Sequence, residues 1–306
     1  MASFAVIVRI IFMYSVSKII DEQANVGEGP LWDDENQLLY WADIRSGRLF
    51  KYDPETNENK TIYNGIFVGG FSKNSYGGLT LGTWNGVLLW ESERKKRWIH
   101  QGMYQGEKLQ FNDCIAAPDG SFLAGTFYPY QIHGFEKLGK LYRFYPDGKI
   151  EIVSENHGCS NGMGFSPSLD YFYHSDPSKK SIVRHKYDNS THEIGPAEEW
   201  YVHEGDGAPD GMTVDAEGYV WSALWGGMGI VKIDNNANIV DKINVDAYQT
   251  SSCMFGGKDL TDLYITSAST PDALANVKQG TYLGGSLFKA ETNSVGKIEF
   301  ETNFEF

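Results

Sequence analysis

The sequence predicts an all-β protein, a six-bladed β-propeller with a central metal site. The chain is rich in aromatic residues, at 14%, and contains 34 glycines, which favours strands and tight turns over long helices. Apolar runs of strand length recur six times, and residues at the same point of successive runs lie 40 to 49 positions apart. A four-stranded propeller blade needs roughly 40 to 50 residues, so one period with one register favours radially arranged blades over stacked sandwiches.

The repeated unit is a meander of strands. The six apolar runs cover residues 38–42, 78–82, 121–125, 171–174, 219–223 and 263–266. A second run that begins after Gly or Ser follows most of them about ten residues later, and turns such as Asp53-Pro54 then lead to a third strand. Each repeat therefore predicts hairpin-connected strands of one blade.

We interpret residues 14–306 as a single propeller domain, because no Pro/Ser-rich linker or change in composition interrupts the repeats. The strand around residues 16–20 is expected to complete the last blade beside strands near the C-terminus. We expect residues 1–13 to be an N-terminal extension, non-native or disordered, with Met13 as an alternative start. The apolar stretch at residues 4–13 is too short to cross a bilayer.

Charge and cysteine content limit the partners. The net charge is −14, and the only basic run, residues 94–97, is flanked by acids, so nucleic acid is excluded as a partner and cations are favoured. Three widely spaced cysteines make no disulfide framework or zinc motif, which favours the reducing cytoplasm, with a weak secretion signal as the alternative. We expect no membrane partner and a monomer or weak homodimer.

Oxygen-bearing residues precede four of the apolar runs at equivalent points of the repeat: Glu28, Asn112, Asn161 and Asp210. Loops entering the inner strands of a propeller converge on its central channel, so these side chains are expected to meet there. Two carboxylates and two amides suit a hard divalent cation whose remaining positions are filled by water. Each tripeptide alone, such as Pro209-Asp210-Gly211, is also a plain turn signal.

A cation beside a carboxylate can activate water, which predicts a hydrolase. The sequence contains no Gly-x-Ser-x-Gly elbow, P-loop or His-Glu-x-x-His motif. The seven histidines are scattered, and His133, His157 and His203 are the ones near candidate channel loops. They and the cysteines are interpreted as structural.

The motifs, taken in order, resemble those of the regucalcin (senescence marker protein), gluconolactonase and luciferin-regenerating enzyme family. They are Gly-Glu-Gly-Pro-x-Trp at 27–32, Phe-Asn-Asp at 111–113, Ala-Gly-Thr at 124–126, Ser-Asn-Gly at 160–162, Pro-Asp-Gly-Met at 209–212, Asp-Ala-Glu-Gly-x-Val-Trp at 215–221 and Thr-Ser-Ser-Cys-x-Phe-Gly-Gly at 250–257. The resemblance runs from about residue 15 to the C-terminus and implies a six-bladed propeller with one catalytic divalent cation.

The resemblance also implies roles for individual residues. Glu28, Asn161 and Asp210 match the metal ligands, Asn112 matches a residue that contacts substrate or metal-bound water, and Asp210 matches the acid that activates water for lactone opening. Ca²⁺ or Zn²⁺ is the expected ion, with Mg²⁺ or Mn²⁺ as alternatives.

Two departures from the family concern substrate recognition. Gln110 stands where sugar lactonases of the regucalcin type carry Arg, and the stretch 127–131 lacks their lid Glu. Glutamine donates only neutral hydrogens and tyrosine stacks, so polyol recognition should be weakened. We expect Gln110, Tyr128 and Tyr130 to shape the pocket of a metal-dependent lactonase. A phosphotriesterase-like hydrolase and a non-catalytic calcium-binding propeller remain alternatives.

Overall fold

The computed structural model describes residues 14–128, 137–270, 282 and 284–306, and this part of the chain is almost entirely β-structure. It contains two short 3₁₀ turns, Ile44–Ser46 and Pro177–Lys179, and no α-helix long and apolar enough to cross a membrane. The strands are β1 Val16–Asp21, β2 Gly27–Asp33, β3 Leu38–Asp43, β4 Arg48–Asp53, β5 Glu58–Asn64, β6 Val68–Lys73, β7 Leu79–Thr83, β8 Gly86–Ser92, β9 Lys95–Gln101, β10 Met103–Tyr104, β11 Glu107–Lys108, β12 Phe111–Ala116, β13 Phe122–Thr126, β14 Gly139–Phe144, β15 Ile150–His157, β16 Met163–Phe165, β17 Tyr171–Asp176, β18 Ser181–Tyr187, β19 Ile194–Val202, β20 Ala208–Val214, β21 Val220–Trp225, β22 Gly229–Ile233, β23 Ile239–Asn244, β24 Gln249–Gly256, β25 Asp262–Ala268 and β26 Ser286–Glu291.

The strands form antiparallel meanders arranged as a propeller-like fold. Four sheets have four strands each, β2–β5, β6–β9, β12–β15 and β16–β19, and β10 and β11 form a small hairpin. The remaining sheet has eight strands. It consists of the meander β20–β23 and the set β24, β25, β26 and β1, which are joined by one residue pair, Trp225 with Gln249.

The predicted strand pattern is confirmed. The six apolar runs are the second strands of the meanders, β3, β7, β13, β17, β21 and β25, and β1 pairs with β26 as predicted. One expectation was wrong. Glu28, Asn112 and Asp210 do not lie in loops that enter the inner strand, because they belong to the inner strands β2, β12 and β20 themselves. Asn161 does precede its inner strand, β16, as expected.

The inner strands approach each other closely around the central channel, and glycines permit this approach. A Cβ atom on Gly162 would overlap the backbone of Asp210 and Met212 on the neighbouring inner strand. A Cβ on Gly211 would overlap Ser252 on the next one. A larger residue at either position would push the inner strands apart, so these glycines set the width of the channel.

Aromatic side chains fill the space between neighbouring sheets. Trp41 and Phe50 are almost fully buried, with ring centroids 4.5 Å apart, and Trp32 stacks on Tyr264 of the last meander at 5.6 Å. Large buried rings of this kind dominate core energetics, since each removes roughly 150 to 250 Å² from water. The first and last sheets are therefore joined by packing as well as by β1.

The C-terminal segment crosses the ends of the meanders where the first and second strands are connected. Backbone hydrogen bonds join it to Ala216, Leu260, Lys73, Ser75 and Gly120. Phe300 packs edge-on against Phe165 of the fourth sheet, with centroids 6.0 Å apart. The segment thus covers one end of the channel, and the candidate site described next lies toward the other.

Candidate active site

β-Bulges on the inner strands place three of the predicted site residues. The register of β2 shifts between Glu28 and Leu31, that of β12 between Phe111 and Asp113, and that of β20 between Pro209 and Met212. Asn112 is the extra residue of the second bulge, and Asp210 lies within the third. A bulge turns a side chain out of the alternating pattern, which directs these side chains into the channel.

The bulges on β6 and β24 complete this pattern, since the same shift occurs between Val68 and Gly70 and between Thr250 and Ser252. Their extra residues are Gly69 and Ser251, and Ser251 uses its hydroxyl to donate to the Gly27 carbonyl at 2.6 Å. Five inner strands therefore bulge at one level of the channel. Gly69 permits the close approach of the next inner strand, because a Cβ atom at this position would overlap the carbonyl oxygens of Phe111 and Asn112.

Asn161 precedes β16 and reaches the same level. Its backbone N–H donates to the Ser175 carbonyl at 3.1 Å, and its side-chain Oδ1 accepts from the Gly162 N–H at 3.0 Å. The side-chain Nδ2 donates to Oδ1 of Asp210. The amide and the carboxylate are therefore directed to the same point, although they are far apart in sequence.

These side chains line a cavity of about 230 Å³. Its described lining is Val26, Glu28, Ile44, Arg45, Trp84, Asn112, Phe127, Cys159, Asn161, Pro177, Asp210 and Trp225. Glu28, Asn112, Asn161 and Asp210 form its polar base, so the structure brings together the four residues that the sequence placed at equivalent points of the repeat.

The other predicted substrate residues are placed differently. Gln110 is buried, and its carbonyl accepts from the Phe127 N–H at 3.1 Å, but it is not among the described residues that line the cavity. Tyr128 donates its hydroxyl to the Lys108 carbonyl at 2.8 Å, outside the cavity, and Lys137 Nζ lies 4.1 Å from its ring centre. Tyr130 lies outside the described residues. The substrate roles of these three residues remain predictions.

The residues at the cavity rim recur at one point of the repeat, just after the second strands, and the sequence interpretation missed them. Trp84, Phe127 and Pro177 each come directly after a second strand, Trp225 ends one, and Arg45 lies two residues after β3. The second strands all end at the same side of the propeller, so residues at this offset form a ring around the mouth. The repeat period alone could have indicated them, because they follow each apolar run at a nearly constant distance.

The two acids of the site, Glu28 and Asp210, are buried, and no base compensates their charge in the part of the chain that the structure describes. Glu28 is 6% exposed and Asp210 is 3% exposed, and within the described residues neither forms an ion pair with a basic side chain. Glu28 accepts from the Gly29 N–H at 3.0 Å, and Asp210 accepts from the Asn161 amide. A buried charge with so few donors is costly unless a proton or a cation neutralises it.

Burial raises the pKa of Glu28, Asp113 and Asp210, and repulsion from neighbouring acids raises the pKa of Glu28 and Asp210 further. Burial, and then the charge of Asp113, raise the pKa of Glu28 to about 8. Burial raises the pKa of Asp113 to about 7, and burial together with the charges of Glu28 and Asp113 holds the pKa of Asp210 well above its usual range. Burial and neighbouring carboxylates therefore oppose the ionisation of Glu28 and Asp210. Asp113 belongs to the Phe-Asn-Asp motif at 111–113, but the motif did not indicate a role for it.

The donor set fits a hard divalent cation. Such ions take carboxylate and amide oxygens and tolerate water in the remaining positions. Within the described residues no three His, Cys, Asp or Glu side chains are grouped to hold a metal. The residues that would hold the ion are Glu28, Asn161 and Asp210, with Asn112 beside them.

The fold and the site define the class: an all-β, propeller-like protein whose channel contains oxygen donors that suit a divalent cation. Comparison with known sequences identifies the family. Residues 26–269 match the SMP-30/Gluconolactonase/LRE-like region. The chain belongs to the SMP-30/gluconolactonase/LRE-like family, which confirms the resemblance carried by the sequence motifs.

Individual relatives cover nearly the whole chain. The putative sugar lactone lactonase YvrE of Bacillus subtilis is 35% identical over 279 residues, covering 90% of this chain and 94% of the relative. The pentonolactonase XacC of Haloferax volcanii is 31% identical over 299 residues, covering 94% and 98%. The solved structure of the calcium-binding protein regucalcin from Agrobacterium tumefaciens superposes with a TM-score of 0.79 at 21% identity, covering 97% of this chain and 99% of that one.

Proposed function

We propose that this protein is a divalent-metal-dependent lactonase that opens a sugar-type lactone, a carboxylic ester. The observation that carries the proposal is the convergence of Glu28, Asn112, Asn161 and Asp210 on one cavity in which the acids have no basic partner among the described residues. Two relatives that cover nearly the whole chain are lactonases by name, which supports the same reaction class.

We also propose six blades around one central cation. The four four-stranded sheets account for four blades, and the eight-stranded sheet divides at the pair Trp225 and Gln249 into two further sets of four strands. Residues 14–306 would then form one domain. The three free cysteines support the cytoplasm as the compartment.

In this proposal Glu28, Asn161 and Asp210 hold the cation, with Ca²⁺ or Zn²⁺ favoured and Mg²⁺ or Mn²⁺ as alternatives. When bound, such an ion polarises the lactone carbonyl and lowers the pKa of water. Asp210 accepts the proton of the attacking water, for which it must be ionised. Its raised pKa in the metal-free channel means that ionisation depends on the neutralisation of the repulsion from Glu28 and Asp113.

Asn112 orients the substrate. Its amide Nδ2 donates to the Ser160 carbonyl at 3.0 Å, which fixes the side chain on the floor of the cavity. The rim rings Trp84, Phe127 and Trp225 reduce access of bulk water, which strengthens electrostatic interactions inside. The chain therefore supplies a fixed acid, a fixed amide and a partly desolvated chamber.

Hydrolysis of a panel of neutral aldonolactones tests the proposal, with metal-loaded protein, chelated protein and chelated protein reloaded with each ion. We expect activity to disappear on chelation and to return with at least one ion. Asp210→Asn should lower kcat/KM by about 100- to 10,000-fold, the usual contribution of a general base. Asp147→Asn, a change at an exposed turn, is the matched control and should keep full activity.

Activity that survives both complete metal removal and Asp210→Asn would refute the mechanism. Faster turnover of a paraoxon-type phosphotriester than of any lactone would instead support the phosphotriesterase alternative. Tight binding of Ca²⁺ with no turnover of lactone or phosphotriester would support a non-catalytic calcium-binding propeller.

A further inference from the structure

We infer that Ser175 is a positioning residue of this site: it fixes Asn161 and Asp210 relative to each other and thereby sets how strictly the site discriminates between divalent cations. The inference rests on the proposed metal dependence and concerns the same donor set. Ser175 is fully buried, and it is not among the described residues that line the cavity. It therefore acts through the two donors and not by contact with a substrate.

The backbone of Ser175 holds the first donor, Asn161. Ser175 is the second-to-last residue of β17, and the Asn161 N–H donates to its carbonyl at 3.1 Å. The Ser175 N–H donates to the Gly162 carbonyl at 2.9 Å. These two bonds continue the pairing of β16 with β17 beyond the first residue of β16, so the backbone of Asn161 is fixed against β17.

The side chain of Ser175 holds the second donor, Asp210. Its hydroxyl donates to the backbone carbonyl of Asp210 at 2.7 Å. Asp210 lies in the bulge between Pro209 and Met212, where the ladder provides no register partner on β21. A buried carbonyl without a donor is costly, so this hydroxyl stabilises the bulge that turns the Asp210 side chain into the channel.

The residue after Ser175 braces the loop that leads to Asn161. The carboxylate of Asp176 accepts from the backbone N–H of Gly158 at 3.0 Å and from that of Cys159 at 3.1 Å. Asp176 is 3% exposed, so these bonds are shielded from water. The end of β17 therefore fixes the loop before one donor and the backbone of both donors.

The position of Asp210 is maintained against repulsion. Its carboxylate feels the charges of Glu28 and Asp113, and it has no basic partner among the described residues. A backbone free to move would let this carboxylate withdraw from the other two in the metal-free site. Binding of a cation would then have to reverse that movement, which lowers affinity, whereas a site already held in its binding geometry avoids this cost.

Ions differ in how much they depend on fixed donors. Mg²⁺ demands near-ideal octahedral geometry with ligands at about 2.0–2.1 Å, whereas Ca²⁺ accepts irregular geometry at about 2.3–2.6 Å. A fixed pair of donors therefore matters more for the smaller ions than for Ca²⁺. Loss of the Ser175 hydroxyl should weaken binding of the smaller ions more.

The test measures dissociation constants of Ca²⁺, Mg²⁺, Mn²⁺ and Zn²⁺ by calorimetric titration of the chelated protein. Ser175→Ala removes the hydroxyl and keeps both backbone hydrogen bonds. The affinity of each ion that the wild-type protein binds should fall by about 2- to 12-fold, the factor that corresponds to one hydrogen bond, with Ca²⁺ affected least. At saturating metal, kcat on a lactone should stay close to the wild-type value.

Two further variants separate positioning from a general loss of packing. Thr80→Val removes another fully buried hydroxyl, whose Oγ1 lies 2.6 Å from Thr302 Oγ1 of the C-terminal segment, and it should leave every metal affinity unchanged. Ser175→Cys retains a weak S–H donor and should recover part of the affinity. Thermal unfolding of the chelated proteins verifies that they fold, and Ser175→Cys provides the comparison where Ser175→Ala does not.

Unchanged metal affinities on loss of the hydroxyl, or an equal loss in Thr80→Val, overturn the inference and leave the lactonase proposal standing. An equal loss for Ca²⁺ and the smaller ions also overturns it, because discrimination would then not depend on Ser175. A wild-type protein that binds none of the four ions refutes both the inference and the proposed metal dependence.

Discussion

Strand β20 carries one buried acid near its beginning and is followed by another, and their surroundings differ. Asp215, fully buried, accepts from the backbone N–H groups of Glu217 at 3.0 Å and Tyr219 at 2.9 Å. It also accepts from Trp221 Nε1 at 2.9 Å, and Lys232 Nζ lies 3.6 Å away. Its charge is therefore compensated within the protein.

Asp210, five residues earlier, is equally removed from water but has the Asn161 amide as its hydrogen-bond donor and feels the charges of Glu28 and Asp113. Within the described residues, the carboxylate at the turn is stabilised by several donors and the carboxylate in the channel has no basic partner. A buried carboxylate without a basic partner destabilises a core, so such a residue is expected at a functional site. Asp210 is therefore a better candidate for a functional carboxylate than Asp215.

The largest effect on stability is expected from Asp215→Ala. This change leaves the Trp221 N–H without its acceptor and the half-buried Lys232 without its ion-pair partner, so the free energy of unfolding should fall by about 3 to 5 kcal/mol. Denaturant unfolding of the chelated protein measures it. The exposed Asp147→Ala should change stability little. A loss below that of an ordinary surface substitution would show that Asp215 is not the anchor that its contacts indicate.

A smaller effect is expected from pH on the chelated protein. The pKa of Glu28 is raised to about 8 by burial and by Asp113, so the folded state keeps a proton that the unfolded state has released. Stability should therefore fall as pH rises toward about 8. Burial lowers the pKa of His157 to about 4, which gives the opposite slope below its ordinary value of 6.5. The window between about pH 6.5 and 8 isolates the channel acids.

Unfolding free energies measured across this window, with chelator and with saturating Ca²⁺, test the pH prediction. A bound cation would keep the acids deprotonated, so the fall should disappear with metal, and apparent metal affinity should rise with pH. A chelated protein whose stability rises through this window would contradict the assignment of uncompensated acids.

The smallest effect, of opposite sign to that of Asp215→Ala, is expected from Glu28→Gln. Removal of one of the opposed buried charges should raise the unfolding free energy of the chelated protein by on the order of 1 kcal/mol at pH 8. The same variant should lose the stabilisation by metal. Calorimetry with and without Ca²⁺ measures both, and a destabilisation as large as that of Asp215→Ala would mean that Glu28 supports the scaffold.

Much of the fold could be predicted because its signals are local. The six apolar runs are second strands, and the register of Glu28, Asn112, Asn161 and Asp210 within the repeat anticipated their convergence. The bulges could not be predicted, because a bulge depends on the pairing between strands. For the same reason the expectation of an entry loop was wrong for Glu28, Asn112 and Asp210, which lie within inner strands.

The substrate side of the cavity was harder to predict. Gln110 was singled out by its motif. Successive side chains near a strand point to opposite faces, however, and the motif does not show whether Gln110 faces the channel or the core. Arg45 belongs to no motif and reaches the cavity because its turn follows β3 at the rim. The presence of Arg45 in the cavity lining depends on which blade ends meet at the mouth of the cavity.

The sequence by itself determined the repeat, the strand order within it and the oxygen donors that recur at one point of it, since these depend on short-range pattern and residue chemistry. Only the tertiary structure decided which acids are compensated. Asp210 and Asp215 are both aspartates followed within three residues by a glycine. The energy of a buried charge is set by burial and by the nearest charges and donors, and these distances exist only once the inner strands surround the channel.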